Sequence, residues 1–96
     1  LAALNGPQDA VAEMVRAFHE RRDVTISRLN GMDGITCVNP RGAFYAFPNL
    51  NSYIGKGYGD IKIRDGYDLA AYLLNEVKVA AVPGDAFGAA GYLRLS

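Results

Sequence analysis

The chain has 96 residues, and its ten basic and ten acidic side chains give a net charge of zero at pH 7. Apolar residues make up 50% of it, which is enough for the core of one small domain and far from the composition of a disordered chain. The neutral balance argues against a nucleic-acid partner, whose phosphates select a basic face, and no apolar run approaches the roughly 20 residues of a membrane-spanning helix.

The first predicted element is a long helix over residues 7–29. Asn5-Gly6-Pro7 is a start signal, since asparagine or glycine can cap a helix and proline suits its first turn. Asn30-Gly31 predicts a left-handed stop. Four apolar residues recur at the spacing of one helical face, and we expect this face to be buried. They are Val11, Met14, Val15 and Phe18.

The rest of the chain predicts short strands around a second helix, which Asp65 caps and which runs to about Glu76. A long loop rich in glycine and tyrosine is predicted over residues 49–60. The predicted strands cover residues 35–38, 43–47, 61–63, 77–82 and 92–96. The expected fold is therefore one α+β domain over residues 1–96. It is a two-layer sandwich, in which the long N-terminal helix and the shorter second helix cover a small, mostly antiparallel sheet.

The single cysteine and the two ends of the chain suggest where the protein works and that it is part of something larger. Cys37 cannot form an internal disulfide, which favours a reducing compartment, so we expect a cytoplasmic protein. The sequence starts at Leu1 without a methionine and stops at Ser96, directly after a predicted strand. We therefore expect a fragment of a longer protein.

Three features that suggest a reactive site have simpler explanations. His19 is the only histidine, and it has neither a nucleophile nor a set of metal ligands beside it, so we expect a solvated surface residue. Cys37 lies in an apolar run, which favours a buried, unreactive thiol. The segment Gly-Lys-Gly-Tyr-Gly at residues 55–59 lacks the third glycine of the dinucleotide fingerprint and the Ser or Thr of a P-loop. We expect a flexible loop there.

Arg94 is the strongest candidate for a functional residue. It lies in the middle of the last predicted strand, where Leu93 and Leu95 point to one face and Arg94 to the other. A guanidinium on a strand is held rigidly, and its fork matches a carboxylate in two parallel hydrogen bonds. The spacing alone leaves two structural alternatives open, an internal salt bridge and a side chain on the open face of the sheet.

Three segments together resemble the class I pyridoxal-phosphate aminotransferases, most closely the bacterial aspartate aminotransferase subgroup. Residues 79–88, VAAVPGDAFG, and residues 91–96, GYLRLS, resemble the family's V-x-V-x-P-G-x-x-F-G turn and its R-L-S strand. Residues 40–47, PRGAFYAF, resemble the P-x-G-A-F-Y strand, and residues 4–7, LNGP, open a long helix as in the family's small domain. The matches follow the family's order and span nearly the whole chain.

The resemblance implies roles for particular residues. The arginine of R-L-S binds the α-carboxylate of the substrate, and here it falls on Arg94. The aromatic residue of G-A-F-Y lines the substrate pocket, and here it is Phe44, while Gly42 would let the backbone come close to the substrate. The resemblance thus implies substrate-binding roles for three residues of this chain.

The same resemblance implies that much of the enzyme lies outside this chain. The Schiff-base lysine, the aspartate that pairs with the pyridine nitrogen and the phosphate-binding residues of the family belong to its large domain. We therefore expect the small domain of an aminotransferase without the large domain and the final helix. Pyridoxal phosphate would be bound by the large domain, so this chain is expected to carry no catalytic, cofactor-binding or metal-binding residue and to be inactive alone.

The family also implies substrates and partners. The expected reaction of amino-acid metabolism transfers an amino group from an amino acid, aspartate, to a 2-oxo acid, 2-oxoglutarate, and prephenate or aromatic amino acids stay open. A homodimeric parent is expected. The alternative is a non-catalytic regulatory or protein-interaction module, in which Arg94 is structural and the loop over residues 49–60 is the contact surface.

Overall fold

The fold is built from three helices, two 3-10 helices and four short strands, and the computed structural model describes all residues, 1–96. The helices are α1 (Ala2–Asn5), α2 (Asp9–Asn30) and α3 (Gly66–Val77). The strands are β1 (Gly57–Tyr58), β2 (Ile61–Lys62), β3 (Val82–Pro83) and β4 (Leu93–Arg94). The 3-10 helices are Asn51–Tyr53 and Gly84–Phe87. The α+β class is confirmed. None of the three helices combines the length and the apolar sequence that spanning a lipid bilayer requires.

The predicted long helix is confirmed as α2, although it begins two residues later. Gln8 precedes it and donates its side-chain amide to the carbonyls of Ala3 and Gly6, at 3.0 and 3.1 Å, which closes the corner between α1 and α2. The predicted left-handed stop is wrong, because Gly31 has a φ of −81°. The side chain of Asn30 instead pairs with both backbone groups of Cys37, at 2.8 and 3.0 Å.

The predicted burial of one α2 face is wrong within this chain. Ile26 is the only buried residue of the helix, and the four residues of the predicted stripe, Val11, Met14, Val15 and Phe18, are all exposed. The radius of gyration is 16.4 Å, against about 12–13 Å for a compact domain of this length. The reason is that the rest of the chain packs on α2 mainly from Phe18 onward, where Phe44 lies beside it, so most of the apolar face before Phe18 stays uncovered.

Two separate ladders replace the one sheet expected from the sequence. β1 pairs with β2, and β3 pairs with β4 so that Val82 faces Arg94 and Pro83 faces Leu93. The predicted strands over residues 35–38 and 43–47 are reduced to single antiparallel bridges, Thr36 with Asn49 and Ala46 with Leu95. The strand predicted from residue 77 begins only at Val82, because α3 continues to Val77 and ends at Lys78, whose φ is 60°.

The second helix, α3, begins as the sequence predicts. The side chain of Asp65 accepts a hydrogen bond from the backbone N–H of Asp68 at 2.9 Å, which satisfies one of the free donors of the first turn. Asp68 in turn pairs with Arg64 at 2.8 Å. Leu69 points from this turn into the core, so the cap fixes where α3 packs.

The core consists of two small clusters that meet at the last strand. The first contains four buried residues, Leu50, Ile63, Leu69 and Leu93. The second contains Ile26, Cys37 and Ala46, with Leu95 packed against it. Leu93, with 1% of its surface exposed, belongs to one cluster, and Leu95 contacts the other. β4 is therefore anchored on both sides of Arg94.

Candidate functional site

Arg94 lies half-buried in β4, with its guanidinium carbon over two aromatic rings. The distance from this carbon to the ring centroid is 4.6 Å for Tyr45 and 5.2 Å for Phe87. Both values lie within the range in which a cation is attracted to the face of a ring. The structure thus supplies a partner for the charge that the sequence did not reveal.

Arg94 has no acidic partner and donates no side-chain hydrogen bond within the chain. The three ion pairs of the molecule join His19 and Arg22 to Asp23, and Arg64 to Asp68. The internal salt bridge that the sequence left open is therefore not formed. The N–H donors of Arg94 are therefore available to a group outside this chain. Because a half-buried charge without a hydrogen-bonding partner is costly, we expect such a group to bind there.

Phe87 is placed by the turn over residues 83–88, whose glycines are required by its shape. A Cβ at Gly84 would lie 2.6 Å from the carbonyl oxygen of Ala89, and Gly88 closes the turn with a φ of 79°. The carboxylate of Asp85 accepts hydrogen bonds from Gly91 N–H at 3.2 Å and Gly66 N–H at 3.4 Å. The turn is thereby tied both to the approach to β4 and to the start of α3.

A second set of polar contacts ties the approach to β4 to the segment that follows Pro48. The amide of Asn49 donates to the hydroxyl of Tyr92 at 3.2 Å, and its oxygen accepts from the side chain of Asn51 at 2.8 Å. Asn51 also donates to the carbonyl of Ala90 at 3.1 Å. The first part of the predicted loop over residues 49–60 is therefore fixed, and its last part forms β1 and the hairpin turn.

Phe44 is connected to Arg94 through Tyr45, whose ring contacts both residues. The ring centroid of Phe44 is 4.5 Å from that of Tyr45 and 6.0 Å from that of Phe18 on α2. With 56% of its surface exposed, Phe44 is free to contact a group outside the chain. The structure therefore brings Phe44 and Arg94 into one row through Tyr45, a residue that the sequence reasoning did not single out although it belongs to the same G-A-F-Y segment.

Gly42 has no close neighbour within the chain. A Cβ built at Gly42 would meet nothing within 4 Å, and the left-handed residue of the turn is Ala43, with a φ of 58°. The requirement for glycine at position 42 therefore does not arise from the packing of this chain. A close approach of substrate to this backbone stays a prediction.

A cavity of about 360 Å³ lies next to the row of rings, between the C-terminal half of α2 and the segments that carry Phe44 and Leu95. Its lining includes the apolar Phe18 and Ile26 and the charged Arg21 and Arg22. Arg94 is not among its lining residues, so the cavity and the arginine are adjacent features rather than one closed pocket.

The other candidate residues are occupied by local contacts. His19 is exposed and lies 3.2 Å from Asp23, and Cys37 is buried in the second cluster. The ammonium of Lys56 lies 5.2 Å from the ring centroid of Tyr53. Gly55 precedes β1, and Gly59 lies in the turn between β1 and β2. Their φ values of 91° and 58° favour glycine, so the local backbone explains both residues. No group of three or more His, Cys, Asp or Glu side chains is arranged to hold a metal ion.

Comparisons with known proteins agree on one family. The family model "Aminotransferase class I and II" matches residues 1–96. The "Aspartate aminotransferase" of Streptomyces avermitilis is 48% identical over all of this chain and 24% of that protein, and the "Probable aspartate/prephenate aminotransferase" of Aquifex aeolicus is 47% identical over all of this chain and 23% of that protein. The crystal structure of the aspartate aminotransferase from Rhizobium meliloti matches with a TM-score of 0.89 and 43% identity, over 99% of this chain and 24% of that one. The chain thus spans about a quarter of the length of its relatives.

Proposed function

The chain belongs to the class I and II aminotransferase family, and from that premise we propose that it is the small domain of a pyridoxal-phosphate-dependent aminotransferase in which Arg94 binds the α-carboxylate of the substrate. One observation carries this proposal above all others. Arg94 is a half-buried guanidinium on an anchored strand, and no carboxylate of its own chain pairs with it.

The chemistry of the guanidinium supports a carboxylate as its partner. Its planar fork of N–H donors matches the two oxygens of a carboxylate in parallel hydrogen bonds. Each hydrogen bond to a charged group contributes about 1.5–3 kcal/mol. Because Leu93 and Leu95 fix the backbone on both sides, the arginine can hold an amino acid in one orientation and so lower the entropic part of the barrier.

The residues of this chain do not fit a site for pyridoxal phosphate. Lys56 lies over Tyr53, the ammonium of Lys78 donates to the carbonyl of Asn75 at 2.6 Å, and Lys62 is exposed in the β1–β2 hairpin. None of them lines the cavity beside Phe44. We therefore place the cofactor and the groups that react with it in the remaining three quarters of the parent protein, and we derive no chemical step within this chain.

The exposed apolar face of α2 supports the existence of such a remainder. Val11, Met14, Val15 and Phe18 form one regular face, and all four stay exposed although Phe44 lies beside Phe18 at its end. Relatives of this chain are about four times as long, and an apolar face of this regularity is normally buried. We propose that the large domain of the same parent chain packs on it and that the final helix of the small domain lies outside residues 1–96.

The proposed substrates are aspartate and 2-oxoglutarate. The names of the relatives include aspartate and aspartate/prephenate aminotransferases, so prephenate is the second candidate. These substrates share the α-carboxylate that we assign to Arg94. They differ in the group at the distal end of the side chain, which we propose is bound by residues outside this chain. Phe44 and Gly42 are proposed to border the substrate, and the parent is proposed to be a cytoplasmic homodimer. No observation favours the alternative of a non-catalytic module.

Substitution of Arg94 in the full-length holoenzyme tests the proposal. Arg94→Lys keeps the charge and removes the bidentate fork, so we expect the KM for the amino acid to rise by roughly 100-fold and kcat to fall. Arg28→Lys, at an exposed position in the last turn of α2, is the matched control and should leave both constants unchanged. A near-normal KM for the Arg94→Lys enzyme would contradict the proposed role.

A further inference from the structure

We propose that Tyr45 and Phe87 are positioning residues that hold the guanidinium of Arg94 ready for the substrate carboxylate. The proposal rests on the function proposed for Arg94 and adds two residues that contact the arginine rather than the reacting atoms. It is carried by the two ring contacts, at 4.6 and 5.2 Å from the guanidinium carbon. Neither ring is part of the apolar core.

The two rings are fixed relative to the backbone of β4 by different elements. Next to Tyr45, Ala46 exchanges two backbone hydrogen bonds with Leu95, each of 2.9 Å. On the other side, the 3-10 helix that ends at Phe87 begins at Gly84, whose N–H donates to the carbonyl of Tyr92 at 2.6 Å. Both segments are thus bonded to residues that lie within two positions of Arg94.

Aromatic faces suit this task better than an acidic partner would. A carboxylate from the protein would occupy the N–H donors that a substrate needs, and the substrate would have to displace it. A ring attracts the cation through its face and leaves those donors unpaired. Because an arginine side chain has many rotamers, holding it before the substrate arrives reduces the entropy lost on binding.

The ring rather than the hydroxyl of Tyr45 is the active part in this proposal. The Tyr45 hydroxyl makes no hydrogen bond within the chain, whereas its ring contacts both Phe44 and Arg94. Phe44 packs on Tyr45 and so connects the arginine to the residue that is proposed to border the substrate. Replacement by another aromatic residue should therefore preserve the effect.

The first experiment removes each ring from the full-length holoenzyme. We expect Tyr45→Leu and Phe87→Leu each to raise the KM for the amino acid by roughly five- to tenfold, as loss of one cation–π contact implies, with kcat changed less than twofold. Tyr45→Phe and Phe87→Tyr should stay within twofold of the wild-type KM. Both positions are partly exposed, at 38% and 55%, so the variants are expected to fold. Tyr58→Leu removes a ring of similar exposure, stacked on Tyr72, and should leave KM unchanged.

The second experiment repeats the leucine substitutions in an Arg94→Gln enzyme, which has no cation for the rings to contact, and separates the two proposals. If the rings act through the arginine, Tyr45→Leu and Phe87→Leu should there add less than a twofold rise in KM. A full five- to tenfold rise in both backgrounds would overturn the positioning role. An unchanged KM on loss of either ring would also overturn it, provided that Arg94→Lys itself is impaired. If Arg94→Lys is unimpaired, the proposed function fails first.

Discussion

The first half of α2 and the segment around β4 both carry regularly spaced apolar residues, yet only those around β4 pack into the core: Leu93 is buried and Leu95 is partly buried. Leu93 is 1% exposed, whereas Val15 of α2 is 61% exposed. Arg94 shows the converse in β4, a half-buried charge without an acidic partner. The two regions therefore lack different partners within this chain. Most of the apolar face of α2 has no packing partner, and the N–H donors of Arg94 have no acceptor.

Large-to-small substitutions at the two places should separate the regions most strongly. In the 96-residue chain, Leu93→Ala leaves a cavity between core residues and should lower the free energy of unfolding by about 2–5 kcal/mol. Val15→Ala removes little buried surface and places a better helix former in α2, so its effect should stay within about 0.5 kcal/mol. Urea unfolding followed by circular dichroism measures both, and equal losses would contradict the contrast.

The same contrast should shrink in the full-length parent. Met14→Ala should change the free energy of unfolding of the 96-residue chain by less than about 0.5 kcal/mol, because Met14 is exposed there. In the parent, where we propose that the large domain covers this face, the same substitution should cost about 2 kcal/mol. Arg28→Ala, at an exposed position of the same helix, is the control in both proteins. A Met14→Ala cost that is equally small in both would mean that the large domain lies elsewhere.

The smallest expected effect concerns the exposed Arg64–Asp68 pair at the start of α3. The hydrogen bond from Arg64 lowers the pKa of Asp68 below its ordinary value of 3.8, so the folded state favours the charged carboxylate. The contribution of this pair to stability is therefore fully present above that value and is lost as the pH falls through the lowered pKa. It is small because the side chain of Arg64 is exposed. Asp68→Asn should flatten this part of a pH series of urea unfolding curves, and an unchanged slope would contradict the assignment.

The sequence predicts best what neighbouring residues determine. The cap of α3 at Asp65, the length of α2, and the placement of Leu93 and Leu95 in the core with Arg94 on the same strand all follow from local patterns. The periodicity of α2 correctly indicates a helix with one apolar face. It could not indicate that this face stays largely exposed among residues 1–96.

What the sequence missed depends on contacts between distant segments. The strand predicted around Ala46 is a single bridge, and its partner Leu95 lies 49 positions further along the chain, near the C-terminus. Tyr45 and Phe87 belong to segments that resemble family motifs, but no local pattern shows that both rings meet at Arg94. The family resemblance supplied the role that we propose for Arg94, and the structure added its surroundings.

The most direct test determines which group of the substrate Arg94 binds. Dissociation constants would be measured for the full-length holoenzyme and its Arg94→Lys variant, with an amino acid and with the same molecule lacking only the α-carboxylate. We predict that the substitution weakens binding of the amino acid by roughly 100-fold and changes binding of the decarboxylated analogue by less than about threefold, because two charge-assisted hydrogen bonds are lost in the first case only. Equal weakening of both ligands would contradict the assignment of Arg94 to the α-carboxylate.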